Sequence, residues 1–210
     1  MTDILIADDH AVFREGIKKI LSESPELRVA GEASTGQEVL NKVSERNYAM
    51  VILDITLPDR NGLDILKELI NRNPKIRVLM LSFHPEEQYA ERSFRAGALG
   101  YITKESPPDE LIEAIRKVAQ GRKYISRTFA EKIVEDLGTD RTKPLHSMLS
   151  DREYQVMCMI ASGKTVKEIA DELSLSVQTI STYRSRILDK MNLKTNAQII
   201  YYAIKHELVQ

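Results

Sequence analysis

Short apolar runs alternate with helix-periodic segments five times within the first 120 residues. The runs are rich in β-branched residues and lie at 4–7, 27–30, 51–54, 78–81 and 101–102. After each run, apolar residues recur three or four positions apart, as they do on one face of a helix. Regular alternation of strand and helix predicts a parallel sheet covered by helices on both faces. This part of the chain is therefore predicted to be an α/β domain with a doubly wound, five-stranded parallel sheet.

Four of the five predicted strands end in polar residues of different chemistry. Asp8 and Asp9 follow the first strand, Asp54 ends the third, Ser82 ends the fourth, and Lys104 follows the fifth. In a parallel sheet these ends open on one edge, which is where ligands bind. Each residue alone has an ordinary interpretation as a helix cap, a turn residue or a solvated charge. The set in this order favours a functional site instead.

The chemistry of this set is coherent. Three clustered carboxylates repel one another and suit a hard cation such as Mg²⁺. With that cation bound, Asp54 can act as a nucleophile and form an aspartyl phosphate. The Lys104 ammonium would stabilise charge on the transferred phosphoryl group. The Ser82 hydroxyl could bond a phosphoryl oxygen only after transfer, which would bias a two-state loop.

Composition excludes several classes of protein. Of 210 residues, 42% are hydrophobic and 29% are charged, which is ordinary for a globular protein. Cys158 is the single cysteine, so an internal disulfide and a cysteine-based zinc site are excluded. No apolar run is long enough to cross a bilayer, and Asp8 and Asp9 interrupt the first run, so no signal peptide is evident. We therefore expect a cytoplasmic protein with no membrane partner.

Strand patterns disappear after residue 149. Between the two parts, residues 121–147 are predicted to be a linker that carries a short amphipathic helix. Ser150 with Glu153, and Thr165 with Glu168, form capping-box patterns that begin two helices. A longer helix is predicted from Ser176 to Met191, and a fourth helix follows. A short helix, a tight turn and a longer helix are the helix-turn-helix pattern, so residues 148–210 are predicted to be an all-α, four-helix domain.

The two faces of the longer helix differ in chemistry. We expect its buried face to carry Val177, Ile180, Ile187, Leu188 and Met191. Its outward face combines short polar side chains with arginines: Gln178, Ser181, Thr182, Arg184, Ser185 and Arg186. Short hydroxyls allow close approach to base edges, and arginines hold phosphates. The net charge is only −1, so nucleic-acid binding is expected from this local basic stripe rather than from the whole chain.

Residues 1–120 resemble the receiver domain of bacterial two-component response regulators, which has a flavodoxin-like fold. The resemblance implies that Asp54 is the phosphoacceptor. It implies a Mg²⁺ site formed by Asp8, Asp9, Asp54 and the backbone carbonyl of Thr56, and a switch set formed by Ser82, Tyr101 and Lys104. One departure is that Glu105, rather than the common proline, follows the lysine.

Residues 148–210 resemble the LuxR-type DNA-binding domain of the NarL/FixJ group, and the stretch 182–186 is closest to regulators of the GacA/UvrY and BvgA kind. The matching motifs are Leu-Ser-Asp-Arg-Glu at 149–153, Lys-Glu-Ile-Ala at 167–170 and Thr-Ile-Ser-Thr-Tyr at 179–183. The resemblance implies that Ser181, Thr182 and Ser185 face bases, and that Lys167, Thr179, Tyr183, Arg184, Arg186 and Lys190 lie near phosphates. Many such turns carry glycine where Ser174 stands, so we expect strain there. Ser181 stands where lysine is common, so the recognised DNA sequence cannot be transferred from relatives.

Together these resemblances imply a DNA-binding response regulator that controls transcription and is activated when a sensor histidine kinase phosphorylates Asp54. The expected partners are that kinase, promoter DNA, RNA polymerase and a second copy of the chain once it is phosphorylated. No enzymatic turnover is expected beyond autodephosphorylation. A phosphohydrolase of the haloacid-dehalogenase type is an alternative, but it needs a second acid where Thr56 stands. A receiver that serves only as a protein-interaction module is a further alternative.

Overall fold

The structure, a computed structural model, describes residues 1–137 and 144–209. The described chain forms two compact units, Met1–Glu131 and Lys132–Gln210. Residues 138–143 of the predicted linker lie outside the described residues. Within the described ranges, no helix combines the length and apolarity that crossing a bilayer requires.

The first unit contains the predicted sheet. Its strands are β1 (Thr2–Ala7), β2 (Leu27–Ala33), β3 (Met50–Asp54), β4 (Arg77–Ser82) and β5 (Gly100–Thr103). They are all parallel and lie in the order β2-β1-β3-β4-β5. The predicted doubly wound, five-stranded parallel sheet is therefore confirmed. Every residue of β3 is buried, as an apolar run covered on both faces requires.

Five helices cover the two faces of this sheet. They are α1 (Ala11–Leu21), α2 (Gly36–Glu45), α3 (Gly62–Arg72), α4 (Glu86–Arg95) and α5 (Pro108–Ala119). Helices α1 and α5 share one core cluster with alternate residues of the strands, such as Ile4, Ile52 and Leu79. The intervening strand residues point to the other face, which α2, α3 and α4 cover.

The first unit continues past its predicted end at residue 120. Tyr124 is buried in the α1–α5 cluster, and its amide donates to the Leu99 carbonyl at 2.8 Å. The next helix, α6 (Arg127–Leu137), is the short helix predicted in the linker. Near its start, Phe129 stacks on Phe94 of α4 with ring centroids 6.5 Å apart. The beginning of the predicted linker is therefore packed on the receiver-like unit.

The second unit is helical. A 3-10 turn at Leu145–Met148 precedes α7 (Asp151–Ala161), α8 (Val166–Glu172), α9 (Val177–Met191) and α10 (Asn196–Lys205). Both predicted capping boxes are present, at the starts of α7 and α8. The predicted helices and their starts in this half of the chain are confirmed.

Helices α8 and α9 with the turn between them form the predicted helix-turn-helix. Ala170 and Ile180 are buried where the two helices meet, and the Leu175 amide donates to the Ala170 carbonyl at 2.9 Å. Ser174 has φ of 51°, in the left-handed region that non-glycine residues seldom adopt, so the strain expected there is confirmed. On the expected buried face of α9, Ile180, Ile187 and Met191 are buried and Leu188 is half-buried. The expectation for Val177, the first residue of α9, is wrong, because its side chain is 51% exposed.

Candidate functional site

Three charged side chains from three strand ends meet in a buried cluster at one edge of the sheet. Lys104 Nζ donates to Asp54 Oδ2 at 2.7 Å and lies 2.6 Å from Asp8 Oδ2. Asp8 is fully buried, Asp54 is 2% exposed, and the Lys104 side chain is also inaccessible to solvent. The sheet therefore brings together the residues that the sequence predicts at its edge.

The buried Asp8 carboxylate has a partner for each of its oxygens. Asp8 Oδ1 accepts a hydrogen bond from the His10 amide at 2.8 Å. Asp8 Oδ2 lies 2.6 Å from Lys104 Nζ and forms an ion pair with it. A buried carboxylate is costly unless a cation compensates it, and Lys104 does so for both Asp8 and Asp54.

Asp8 and Asp54 also belong to a group of side chains that could hold a metal ion. Asp8, Asp9, His10 and Asp54 each offer a ligand atom, and these atoms lie within 4.8 Å of one another. Asp9 is exposed, and its Oδ1 lies 2.7 Å from His10 Nδ1. Three carboxylates are the ligands that a hard divalent cation prefers. The residues present therefore fit a metal ion, although the sequence reasoning did not identify His10 as a member of the group.

The environment of Asp54 tunes its acidity. Burial raises the pKa of the Asp54 carboxyl to about 6, and the neighbouring Asp8 carboxylate acts in the same direction. The Lys104 ammonium and the hydrogen bond from the Thr56 amide oppose that rise. The Thr56 amide donates to Asp54 Oδ1 at 3.0 Å. At neutral pH the carboxyl is therefore mainly ionised, as a nucleophile requires.

The loop after Asp54 is held tightly against the end of β3. Thr56 pairs with Asn61 in an isolated antiparallel bridge, and the Gly62 amide donates to the Ile55 carbonyl at 2.8 Å. Asn61 is buried, and its Oδ1 caps α3 by accepting from the Leu63 amide at 2.8 Å. These bonds fix the position of Thr56 beside Asp54.

Ser82 and Tyr101 meet at the main chain of one residue. Ser82 Oγ accepts a hydrogen bond from the His84 amide at 3.1 Å. The Tyr101 hydroxyl donates to the His84 carbonyl at 2.7 Å. Both side chains are 1% exposed. The two predicted switch residues therefore hold the same β4–α4 loop, one at the amide of His84 and the other at its carbonyl.

Two aromatic rings lie over Lys104, and the sequence reasoning missed them. Lys104 Nζ is 5.1 Å from the centroid of the Phe13 ring and 4.9 Å from that of Phe83. The His10 ring meets Phe83 edge-on, with centroids 5.9 Å apart. Phe13 matches the apolar spacing of α1, so its position in the sequence indicates core packing and gives no sign of its contact with Lys104. Phe83 directly follows Ser82, and this position was the sequence feature that could have suggested a place near the site.

Helix α9 presents a small polar face to solvent. The three predicted base-facing residues, Ser181, Thr182 and Ser185, are all exposed, as is Arg186. Spacings of one and four residues place the three on one side of the helix. Lys167 is exposed on α8. The structure therefore gathers these five residues on exposed parts of the helix-turn-helix.

The remaining predicted DNA-contact residues form side-chain bonds within the protein or are half-buried. Arg184 Nε donates to Asn196 Oδ1 at 2.6 Å, and Lys190 Nζ donates to Glu153 Oε2 at 2.6 Å. Thr179 Oγ1 is 2.8 Å from Ser176 Oγ at the start of α9. Thr179, Tyr183 and Arg184 are half-buried. These side chains contribute to the packing of α9 whatever else they bind.

Two family models match the chain. The response regulator receiver domain matches residues 4–116, and the luxR family of bacterial regulatory proteins matches residues 147–203. Response regulator UvrY of Escherichia coli K12 is 32% identical over 99% of this chain and 96% of its own length. Response regulator GacA of Pseudomonas protegens is 34% identical over 100% of this chain and 98% of its own.

Solved structures share the fold. A LuxR-family two-component response regulator from Aurantimonas sp. SI85-9A1 has a TM-score of 0.62 and 31% identity, and the match covers 66% of this chain and 99% of that one. RcsB of Salmonella enterica serovar Typhimurium, bound to the rprA promoter in the presence of the phosphomimetic BeF₃⁻, has a TM-score of 0.66. It is 22% identical and is matched over 96% of this chain and 98% of its own.

Proposed function

This chain belongs to the two-component response regulators with a LuxR-type DNA-binding domain, and we propose that phosphorylation of Asp54 by a sensor histidine kinase controls its DNA binding. The observation that carries this proposal is the buried contact of Lys104 with Asp54 and Asp8. In this scheme residues 1–120 are the receiver and residues 148–210 bind DNA.

Phosphoryl transfer would use the side chains at the sheet edge. A carboxylate oxygen of Asp54 forms a bond to phosphorus while the P–N bond of the kinase phosphohistidine breaks. The electron pair leaves on the imidazole nitrogen, which takes a proton from water. Lys104 compensates negative charge on the transferred group. Mg²⁺, held by Asp8, Asp9, Asp54 and the Thr56 carbonyl, would add further charge neutralisation.

The signal would leave the pocket through the β4–α4 loop. A phosphoryl oxygen on Asp54 gives the Ser82 hydroxyl a new acceptor, and movement of Ser82 towards it would break the present bond from the His84 amide to Ser82 Oγ. Release of that amide would free the main chain of His84, whose carbonyl Tyr101 also holds. The loop leads directly into α4, so the receiver surface changes with it. A segment with two bonding arrangements is what a phosphorylation switch requires.

The output would be dimeric binding to promoter DNA. Ser181, Thr182 and Ser185 on α9 would meet base edges. Lys167, Thr179, Tyr183, Arg184, Arg186 and Lys190 would lie nearer the phosphates. Helix-turn-helix dimers bind two half-sites, so phosphorylation is proposed to favour a homodimer that then engages RNA polymerase. The chain would act in the cytoplasm, without turnover beyond autodephosphorylation.

The full chain tests this proposal directly. Purified protein is incubated with phosphoramidate and Mg²⁺, and intact mass reports phosphoryl uptake. Binding to duplexes selected from a random library is measured with and without the donor. We expect uptake of one phosphoryl group and tighter DNA binding in its presence.

Two controls separate the alternatives. Asp54→Asn should abolish both uptake and the change in DNA binding. Equal DNA binding with and without the donor would instead favour a receiver that acts only as an interaction module. Sustained hydrolysis of a small phosphoester by the native chain would favour the phosphohydrolase alternative.

A further inference from the structure

We propose that Phe83, together with Phe13, forms an aromatic lid over Lys104 that restricts the access of water and phosphodonors to Asp54. The lid is defined as the two rings of Phe13 and Phe83. This inference rests on the proposed phosphorylation of Asp54, and it identifies a residue that sets the lifetime of the phosphorylated state.

The position of the rings carries the argument. Lys104 Nζ lies about equally far from both ring centroids, at 5.1 Å for Phe13 and 4.9 Å for Phe83. The two rings are themselves in edge contact, with centroids 6.4 Å apart. The ammonium and the Asp54 carboxylate that it bonds are almost inaccessible to solvent. The rings therefore cover a charged pair that would otherwise face water at the sheet edge.

The two rings differ in how firmly they are held. Phe13 packs against the α1–α5 core cluster, so it is the fixed part of the lid. Phe83 is 57% exposed, so less of its ring is packed against the protein. It directly follows Ser82, which we propose to bond the phosphoryl group. A shift of Ser82 towards that group would therefore carry the Phe83 backbone with it.

The lid would act on two reactions at the same phosphorus. In acceptance, an Asp54 oxygen forms the new P–O bond and the P–N bond of the donor breaks. In hydrolysis, a water oxygen attacks the phosphorus and the P–O bond to Asp54 breaks. The electron pair returns to the carboxylate, inorganic phosphate leaves, and a proton passes to solvent. The phosphodonor in acceptance and the water molecule in hydrolysis must both pass the rings, so removing Phe83 should accelerate both reactions.

The test compares three variants of the full chain with the native protein. Phe83→Ala removes the more exposed ring, and Phe83→Leu restores most of its bulk. Val12→Ala is the matched control, because Val12 is 86% exposed on the adjacent α1 helix. Phosphoramidate with Mg²⁺ loads each protein, the donor is removed, and intact mass follows the loss of the phosphoryl group.

We expect Phe83→Ala to raise the rates of uptake and loss by roughly threefold to tenfold, which corresponds to a barrier lower by about 0.65–1.4 kcal/mol. Phe83→Leu should return the loss rate towards the native value, and Val12→Ala should leave it unchanged. Equal loss rates for Phe83→Ala and the native chain would overturn the lid, as would an equal rise in Val12→Ala. If the native chain takes up no phosphoryl group, the proposed function itself fails, and the lid fails with it.

Discussion

Lys190 Nζ donates to Glu153 Oε2 at 2.6 Å and so joins the last turn of α9 to the first turn of α7. Glu153 is 3% exposed, and its Oε2 also accepts from the Ser150 amide at 2.8 Å. A residue that the sequence assigns to DNA phosphates therefore also compensates a buried carboxylate. This bond has consequences for stability and for DNA binding that can be separated.

The first prediction concerns acid sensitivity. Burial raises the pKa of Glu153, but the bonds from Lys190 and Ser150 outweigh it, and the pKa lies below its ordinary value of 4.5. A carboxyl with a lowered folded-state pKa contributes stability above its unfolded pKa, and that contribution is lost as pH falls through the folded value. Glu153→Gln should therefore lower the free energy of unfolding by about 1 kcal/mol at neutral pH, and the cost should shrink in acid.

Urea unfolding of the full chain from neutral pH to well below pH 4.5, the ordinary pKa of Glu153, measures that effect. Glu172→Gln is the matched control, because Glu172 pairs with Lys164 at an exposed position. An exposed pair contributes little, so the control should stay close to the native curve. A Glu153→Gln cost that persists unchanged in acid would contradict the assignment.

The second prediction concerns the close approach of Gly62 to Asp54. A Cβ at Gly62 would lie 2.1 Å from the Asp54 carbonyl oxygen and 2.8 Å from Ile55 Cα. Neither backbone atom can move without displacing the end of β3. Gly62→Ala should therefore cost about 1–3 kcal/mol in the free energy of unfolding and slow phosphoryl uptake from phosphoramidate.

A second glycine provides the control for this substitution. Gly16 lies within α1, and a Cβ there meets nothing within 4 Å. Gly16→Ala should stabilise the chain by about 0.5–1 kcal/mol and leave uptake unaltered. Similar effects of the two substitutions on uptake would exclude a special role for the Gly62 contact.

The third prediction tests the strained turn of the helix-turn-helix. Ser174 adopts φ of 51°, a conformation that glycine accepts without a steric penalty. Ser174→Gly should raise the free energy of unfolding by up to about 1 kcal/mol. Ser162→Gly is the comparison, because Ser162 has an ordinary φ of −78°, and glycine there should destabilise. Thermal unfolding of both variants measures these changes in stability. A loss of stability in Ser174→Gly would show that the left-handed conformation of Ser174 is not strained.

Sequence predicts best what depends on local pattern and on strand topology. The burial of β3 and the capping boxes of α7 and α8 follow from neighbouring residues, and the strain at Ser174 was expected from the resemblance to turns that carry glycine there. The meeting of Asp8, Asp54 and Lys104 follows from topology, because parallel strands place their carboxyl ends together.

Contacts between distant elements escape the same reasoning. Periodicity placed Val177 on the buried face of α9, whereas its side chain is 51% exposed. The family resemblance assigned Lys190 to phosphates, and it could not show the bond to Glu153, which lies 37 residues away in the chain. The lid residue Phe83 was missed because the residues around it do not indicate that its ring lies over Lys104, which follows a different strand.

The fourth prediction concerns the reading of bases by α9. Ser185 is exposed on the same side of the helix as Ser181 and Thr182, so its hydroxyl is placed to meet a base edge. Ser185→Ala should weaken binding of the phosphorylated chain to its selected duplex by about 1–3 kcal/mol. Binding to unrelated duplexes should change little. Competition between the two kinds of duplex measures the ratio, and an equal loss on both would assign Ser185 to the backbone.

The fifth prediction separates two basic residues on α9. Arg186 is exposed, whereas Lys190 is committed to Glu153 within the fold. A phosphate contact adds close to one unit to the slope of log affinity against log salt, so Arg186→Gln should reduce that slope by about 1 and weaken all duplexes alike. Lys190→Gln should alter the slope less and lower the free energy of unfolding instead. Titrations of the phosphorylated chain at several salt concentrations measure both slopes, and a larger slope change for Lys190→Gln would show that DNA draws the lysine away from Glu153.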